Sequence, residues 1–161
     1  TPGIQLTCRR LKLRRDGEWL RIGLPGGRVL CYPSPRIDAK VEKKDADGKV
    51  ISTKHFPGLS YLGIDQYSKQ WTRIGTYGGR LTENVVQAIA ADQFFESGPA
   101  IEAAGFEIVQ SVHDEFICEA PIDRDDLNPE LLGAMMCADL GWNAGLPLAA
   151  AGWQGQRYNK E

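Results

Sequence analysis

The stretch FEIVQSVHDEFICEA at residues 106–120 decides the fold of the second half of the chain. Two runs rich in aromatic and β-branched residues, Phe106–Val112 and Glu115–Ala120, flank the dipeptide His113-Asp114. Runs of this kind separated by two residues are typical of a β-hairpin with a tight turn. The pattern therefore predicts a hairpin over residues 106–120. Its apex carries Asp114 and Glu115 in water, on a rigid support.

Neighbouring carboxylates at a hairpin apex are compatible with metal chemistry and with an ordinary polar turn. Mg²⁺ takes hard oxygen ligands and keeps several waters. An exposed carboxylate pair beside a phosphate-binding surface is how a two-metal phosphoryl-transfer site is built. Aspartate is also common in turns for purely local reasons. The tripeptide His113-Asp114-Glu115 therefore leaves both interpretations open when it is taken alone.

A long helix is predicted before the hairpin, over residues 80–97. Leu81, Val85 and Ile89 recur every fourth residue, which is the spacing of an apolar stripe on one helix face. Gly98-Pro99 is predicted to interrupt the helix, because proline lacks a backbone N–H and crowds the preceding turn.

A second face of the same helix carries the polar residues Arg80, Asn84 and Gln87. Their spacing places them together at ~100° per residue. Side chains of these types can donate to the acceptors in the minor groove of duplex DNA. A solvated helix face is the alternative interpretation.

The first part of the chain is predicted to be a basic β-meander over residues 1–35. Leu11 and Leu13 alternate with the cations of the cluster Arg9–Arg15, and Asp16-Gly17 and Pro25-Gly26-Gly27 have the composition of turns. The basic cluster could follow phosphates with salt-sensitive affinity. Residues 36–58 are the most polar and predict a mobile charged excursion. Residues 59–161 contain the helix and the hairpin, so the fold class is α+β with an antiparallel sheet.

Composition narrows the function classes. The chain has 161 residues and a formal net charge of −2. Residues 1–55 carry 13 Lys/Arg and 6 Asp/Glu, whereas residues 56–161 carry 6 and 15. This asymmetry suits a protein that binds a polyanion with one part and metal ions with another. The alternative interpretation is a solvated charged hairpin beside an ordinary acidic surface. The four cysteines form no CxxC pair, which excludes a zinc ribbon, and no segment approaches the ~20 apolar residues of a membrane span.

The same motifs, taken together, carry a resemblance to a known family. The chain resembles family A DNA polymerases, and most of all the phage and prophage branch of the DNA polymerase I class. The resemblance covers nearly all of the chain, with residues 37–58 weakest. It is carried by four motifs, Thr76–Arg80, Glu83-Asn84, Gln87–Asp92 and Val112–Glu115. Two longer segments, Trp19–Arg36 and Leu146–Tyr158, also resemble that branch.

The resemblance implies the C-terminal half of the palm subdomain, with the hairpin similar to the family's motif C. By that match Asp114 and Glu115 are the metal-site carboxylates, and His113 lies near the primer 3′ end. Arg80, Asn84 and Gln87 would line the minor groove of the nascent duplex. The implied cofactor is a pair of Mg²⁺ ions. The implied partners are primer-template DNA, deoxynucleoside triphosphates and the missing polymerase portion (thumb, first palm half, fingers), in cis or as a separate chain.

The chain also departs from the family pattern. Only two residues separate Asn84 from Gln87, where the family usually has three. Nothing matches motif A, whose aspartate is the second metal ligand, or the fingers helix. We therefore expect that these 161 residues alone do not polymerise DNA.

Other function classes stay open at this point. A non-catalytic module that binds duplex DNA, such as a degenerate prophage remnant, needs only the basic segment and the helix face. A metal-dependent nuclease needs a further carboxylate or histidine cluster, and the sequence offers none. The absence of a predicted membrane span and the resemblance imply the cytoplasm of a bacterial host or of a phage-infected cell.

Overall fold

A computed structural model describes residues 3–158 as two helices and nine strands in three antiparallel sheets. The first sheet is a four-stranded meander: β1 (Gln5–Cys8), β2 (Leu11–Asp16), β3 (Trp19–Gly23) and β4 (Val29–Pro33). The second contains β5 (Arg36–Lys44), β6 (Val50–Ile64) and β7 (Trp71–Thr76). The third is the hairpin of β8 (Glu107–Val112) and β9 (Glu115–Glu119). The helices are α1 (Gly78–Ala104) and α2 (Pro129–Met136).

The described part of the chain forms two compact units, one up to Gln87 and one from Ala88 onward. The three segments predicted from the sequence divide the chain elsewhere, and that division stays a prediction. Within residues 3–158 no helix combines the length and the apolar character needed to cross a lipid bilayer.

The runs and turns of residues 1–35 predict three strands, whereas the meander has four. Strand β1 precedes the basic cluster, and Arg9 and Arg10 lie in the turn that joins β1 to β2 instead of in a strand. Arg9 has a backbone φ of 52°, in the left-handed region that turns use. The alternation of Leu11 and Leu13 with cations does form strand β2, as predicted.

The polar segment 36–58 contains strand β5, which pairs with the first part of β6 along its length. The turn that joins them is held locally by Asp45, whose carboxylate accepts hydrogen bonds from the backbone N–H groups of Asp47 (3.1 Å) and Lys49 (2.9 Å). Gly48 supplies the positive φ of 82° that this turn needs. The mobility of the segment stays a prediction.

Helix α1 runs through Pro99 without interruption, so the predicted break at Gly98-Pro99 is wrong. Phe94, Ser97 and Ile101 are buried on the inner side of the helix, while Pro99 itself is exposed. Burial of this stripe offsets the cost of the missing N–H, which falls on the solvent side. Residues on both sides of Gly98-Pro99 therefore belong to one continuous helix.

The second compact unit has a core built around Ile101, Phe106 and Leu127, with Phe116 and Leu132 among the side chains packed against it. Helix α2 begins at its N-cap Asn128, whose side chain accepts a 2.9 Å hydrogen bond from the N–H of Leu131. The composition of residues 146–151 predicts a final strand, but no strand is formed there.

The chain there runs beside α2 with its backbone in contact. A Cβ placed on Gly133 would lie 3.3 Å from the carbonyl oxygen of Ala150, and one on Gly152 would lie 3.2 Å from Pro129 Cβ. The small residues of this segment are therefore used for close packing against a helix, which does not require a strand.

Candidate functional site

The hairpin β8–β9 places the three residues of the predicted site at one turn. Val112 and Glu115 are the last pair of the ladder, and His113 and Asp114 form the two-residue turn between them. His113 has a φ of 56°, which is uncommon for a residue other than glycine and is tolerated where the surrounding structure enforces it. The side chains of His113 and Asp114 are exposed, and Glu115 is half-buried.

The hairpin is anchored to helix α1 by aromatic packing just behind the apex. The rings of Phe116 and Phe94 are stacked with their centroids 3.9 Å apart and an angle of 15° between planes. The hairpin also packs on the helix at Gly98, where a Cβ would lie in ordinary van der Waals contact with Ile108 (3.7 Å) and Phe116 (3.8 Å). These contacts connect the apex to a rigid helix, which is the support that a positioned carboxylate needs.

A broad groove of about 990 Å³ runs along this side of the second unit. Its lining includes Asp114 and Glu115 from the hairpin, Gln93 from α1, and Trp153 and Arg157 from the C-terminal segment. The groove is therefore open to water, carries both carboxylates and is large enough for a ligand of nucleotide size.

Gln93 is held in the wall of this groove by hydrogen bonds that the sequence did not predict. Its Nε2 donates to the carbonyl oxygens of Met136 (3.0 Å) and Ala138 (3.3 Å), and its Oε1 accepts from Nδ2 of Asn143 at 2.6 Å. Gln93 and Asn143 are both buried. Only the polar character of position 93 inside an apolar helix stripe hints at this role in the sequence.

The carboxylates fit the ligand chemistry of Mg²⁺, but they make an incomplete donor set. Asp114 and Glu115 offer the hard oxygen atoms that this ion prefers. Across residues 3–158 no group of three or more His, Cys, Asp or Glu side chains is arranged to hold a metal ion. A two-metal site built on this apex therefore requires carboxylates from outside the described residues.

The thiol of Cys118 on β9 is not an activated nucleophile. Burial, reinforced by the carboxylate of Glu102, raises the pKa of Cys118 above its ordinary value. The neutral thiol is the unreactive form.

The predicted helix residues Arg80, Asn84 and Gln87 belong to the first compact unit. Arg80 and Gln87 are exposed, and Nε2 of Gln87 donates to Oε1 of Glu83 at 3.4 Å. Asn84 is half-buried, and its Nδ2 donates to the hydroxyl of Tyr32 at 3.1 Å. Since the hairpin residues belong to the second unit, the two predicted sets are found in different units of the chain.

Comparison with known proteins adds one relative. The chain is 35% identical over 142 residues to a protein named DNA polymerase from Bacillus phage SP02. The match covers 88% of this chain and 20% of that protein, so the chain spans about a fifth of the length of the curated relative it matches. No family model and no solved structure matches the chain. The chain is thus similar to one part of a phage DNA polymerase.

Proposed function

We propose that this chain is the C-terminal palm portion of a family A DNA-directed DNA polymerase. The observation that carries the proposal is the β8–β9 hairpin, which presents Asp114 in water at a turn anchored to helix α1. The similarity over 142 residues to a phage DNA polymerase supports the same assignment. The parent protein would act in the cytoplasm of a bacterial host or of a phage-infected cell.

The proposed reaction is attack of the primer 3′-hydroxyl on the α-phosphate of a deoxynucleoside triphosphate, with pyrophosphate as the leaving group. When bound, two Mg²⁺ ions would stabilise the attacking and leaving oxygens. Asp114 would hold them from this chain, Glu115 would support the site from the same apex, and His113 would lie beside the primer end. The remaining carboxylates would come from the first half of the palm.

The helix face has a matching role in this proposal. Arg80 and Gln87 present exposed donors, and minor-groove acceptors have similar positions in all correct base pairs. Donors of this kind can therefore detect a mismatched base pair without recognising a particular base sequence. Asn84 is less available for a contact with DNA, because its side-chain amide already donates a hydrogen bond to the hydroxyl of Tyr32.

The test is primer extension by the full-length protein that contains this chain, with Mg²⁺ and all four deoxynucleotides. Loss of a metal ligand is expected to lower the extension rate of Asp114→Asn by more than about 100-fold. Asp125→Asn is the matched control, because Asp125 is also an exposed turn carboxylate of the second unit. Equal rates for wild type and Asp114→Asn would refute the site assignment. Templated extension by residues 1–161 alone would refute the expectation that the fragment is inactive.

A non-catalytic module that binds duplex DNA is the second candidate. It is favoured by the incomplete donor set of the described residues and by the excess of cations in residues 1–55. It predicts no extension by the full-length protein together with retained, salt-sensitive binding to duplex DNA.

A further inference from the structure

The meander β1–β4 has one packed face and one face in solvent. In an antiparallel sheet, directly paired residues point to the same face, and neighbours along a strand point to opposite faces. The pairings Leu13 with Ile22 and Ile22 with Leu30 therefore define the packed face. Ile22 is 3% exposed, and Tyr32 on the same face is 7% exposed.

The solvent face carries the cations. The pairings Lys12 with Gly23 and Arg14 with Arg21 place Lys12, Arg14 and Arg21 together on it. Lys12 and Arg14 are exposed, and the Arg21 side chain is 42% exposed. The side of the sheet that faces water is therefore a cationic surface, which we call the basic face and define by Lys12, Arg14 and Arg21.

One carboxylate cannot neutralise this face. Among the strand residues described on it, Asp16 is the sole acid, and it pairs with both Arg14 (3.0 Å) and Arg21 (3.5 Å). The turns at one end of the meander add Arg9 and Arg28. Residues 3–33 hold seven Lys/Arg and two Asp/Glu, a net of +5. The three cations and the one carboxylate of the basic face leave it a net of +2, whereas Arg15, paired with Leu20, points to the opposite face.

The composition of the basic face suits a phosphate backbone rather than unstacked bases. Two of its three cations are arginines, whose planar guanidinium groups bind phosphates in a bidentate manner. Binding of single strands relies on several aromatic platforms, whereas Trp19, 41% exposed, is the one aromatic side chain among the described residues of this face. A cationic sheet surface with a single aromatic side chain therefore fits double-stranded DNA better than a single strand.

We propose that the basic face of the β1–β4 meander binds the phosphate backbone of duplex DNA without sequence preference. This inference rests on the proposed function only for the identity of the polyanion. The contact belongs to the first compact unit and uses none of the hairpin residues, so binding and catalysis are separable.

The first experiment measures duplex binding by the full-length protein as a function of salt. The triple variant Lys12→Gln, Arg14→Gln and Arg21→Gln should bind a 24-base-pair duplex at least tenfold more weakly in about 50 mM salt, and the salt slope should fall by about 2 to 3 because each phosphate contact contributes about 0.9. The control triple Lys40→Gln, Lys49→Gln and Lys54→Gln removes the same charge from exposed positions of β5, β6 and the turn that joins them. Its affinity should change less than threefold, and equal losses in both triples would overturn the proposal.

The second experiment locates the contact. Cys31 and Cys8 are both exposed, and the register places Cys31 beside Arg21 on the basic face and Cys8 beside Leu11 on the opposite face. A duplex carrying an activated disulfide on a backbone phosphate should form a mixed disulfide with the protein. Cys31→Ser should abolish that product and Cys8→Ser should leave it. Loss through Cys8→Ser alone, or competition by a single strand as strong as by the duplex, would contradict the assignment.

The two proposals fail in different ways. A protein that extends primers, but whose duplex affinity is unchanged in the triple variant Lys12→Gln, Arg14→Gln and Arg21→Gln, would overturn the basic-face proposal and leave the polymerase proposal supported. A protein that extends no primer but shows the Cys31-dependent product would overturn the polymerase proposal and leave the basic face supported.

Discussion

Asn84 donates a 3.1 Å hydrogen bond from its side-chain amide to the hydroxyl of Tyr32, which lies 52 residues earlier in the chain. The bond joins helix α1 to strand β4 inside the first compact unit. Tyr32 is in turn packed edge-to-face against Tyr61, with ring centroids 5.0 Å apart. A residue expected to contact DNA is therefore oriented by a buried tyrosine of the meander.

Tyr32→Phe tests this bond. The variant keeps the ring contact with Tyr61 and removes the acceptor, so it should lower the free energy of unfolding by about 1 kcal/mol. Asn84→Ala should cost a similar amount, and the double variant should cost less than the sum of the two. Urea denaturation of all four proteins measures the coupling. Strict additivity would show that the two side chains do not interact.

Pro99→Ala is expected to stabilise the second unit. Alanine restores the N–H that an α-helix uses at this position and removes the crowding of the preceding turn, a gain of about 1–3 kcal/mol. Pro99 is exposed, so the change removes little packing. Thermal unfolding followed by circular dichroism gives the answer. A lower midpoint than wild type would mean that the proline shapes the helix in a way the native contacts require.

Phe94 and Phe95 are neighbours with opposite environments, 8% and 62% exposed. Phe94→Ala removes the ring stacked on Phe116 and should cost about 3–4 kcal/mol. Phe95→Ala should cost less than about 1 kcal/mol, since its ring is mainly in water. Chemical denaturation of the pair compares them directly, and similar losses would contradict the stacking that anchors the hairpin.

The raised pKa of Cys118 predicts how its reactivity and its contribution to stability change at alkaline pH. Its pKa is raised in the folded protein by burial and then by the Glu102 carboxylate. Because the folded thiol holds its proton more strongly than the unfolded one, this contribution to stability is present below the unfolded pKa and is lost as pH rises through the folded pKa. Alkylation of Cys118 should therefore accelerate at a higher pH than that of a cysteine in a short peptide.

Glu102→Gln is the control for the cause of that shift. It removes the smaller of the two contributions, so the labelling profile of Cys118 should move to lower pH without reaching the peptide profile. Mass spectrometry of the labelled protein measures the rate at this cysteine alone. A profile that coincides with the peptide in wild type would show that the thiol is not desolvated.

Local chemistry explains which elements were predictable. The hairpin around His113-Asp114 was evident because both strands and the turn are encoded within fifteen residues. Helix α2 follows from Asn128 as N-cap and Pro129 in the first turn. The alternation of Leu11 and Leu13 with cations identified strand β2 for the same reason.

The features that were missed depend on partners distant in sequence. The passage of α1 through Pro99 depends on burial of Phe94 and Ile101, which no local pattern encodes. The tail beside α2 is fixed by contact with Gly133, and its run of small residues only imitates a strand. The Tyr32 partner of Asn84 is likewise a product of the tertiary fold. Within the site, residue types could be predicted, whereas their partners could not.

The alternation in strand β2 determines how this part of the chain tolerates changes in length. Deletion of a single residue between Leu11 and Asp16 would turn leucines to water and arginines toward Ile22, so it should be far more damaging than any one substitution. Residues added or lost in the turn around Gly26-Gly27 do not change the alternation of side chains within β3 or within β4. Length differences among functional relatives should therefore fall in the turns, and the strands of the meander should keep a constant residue count.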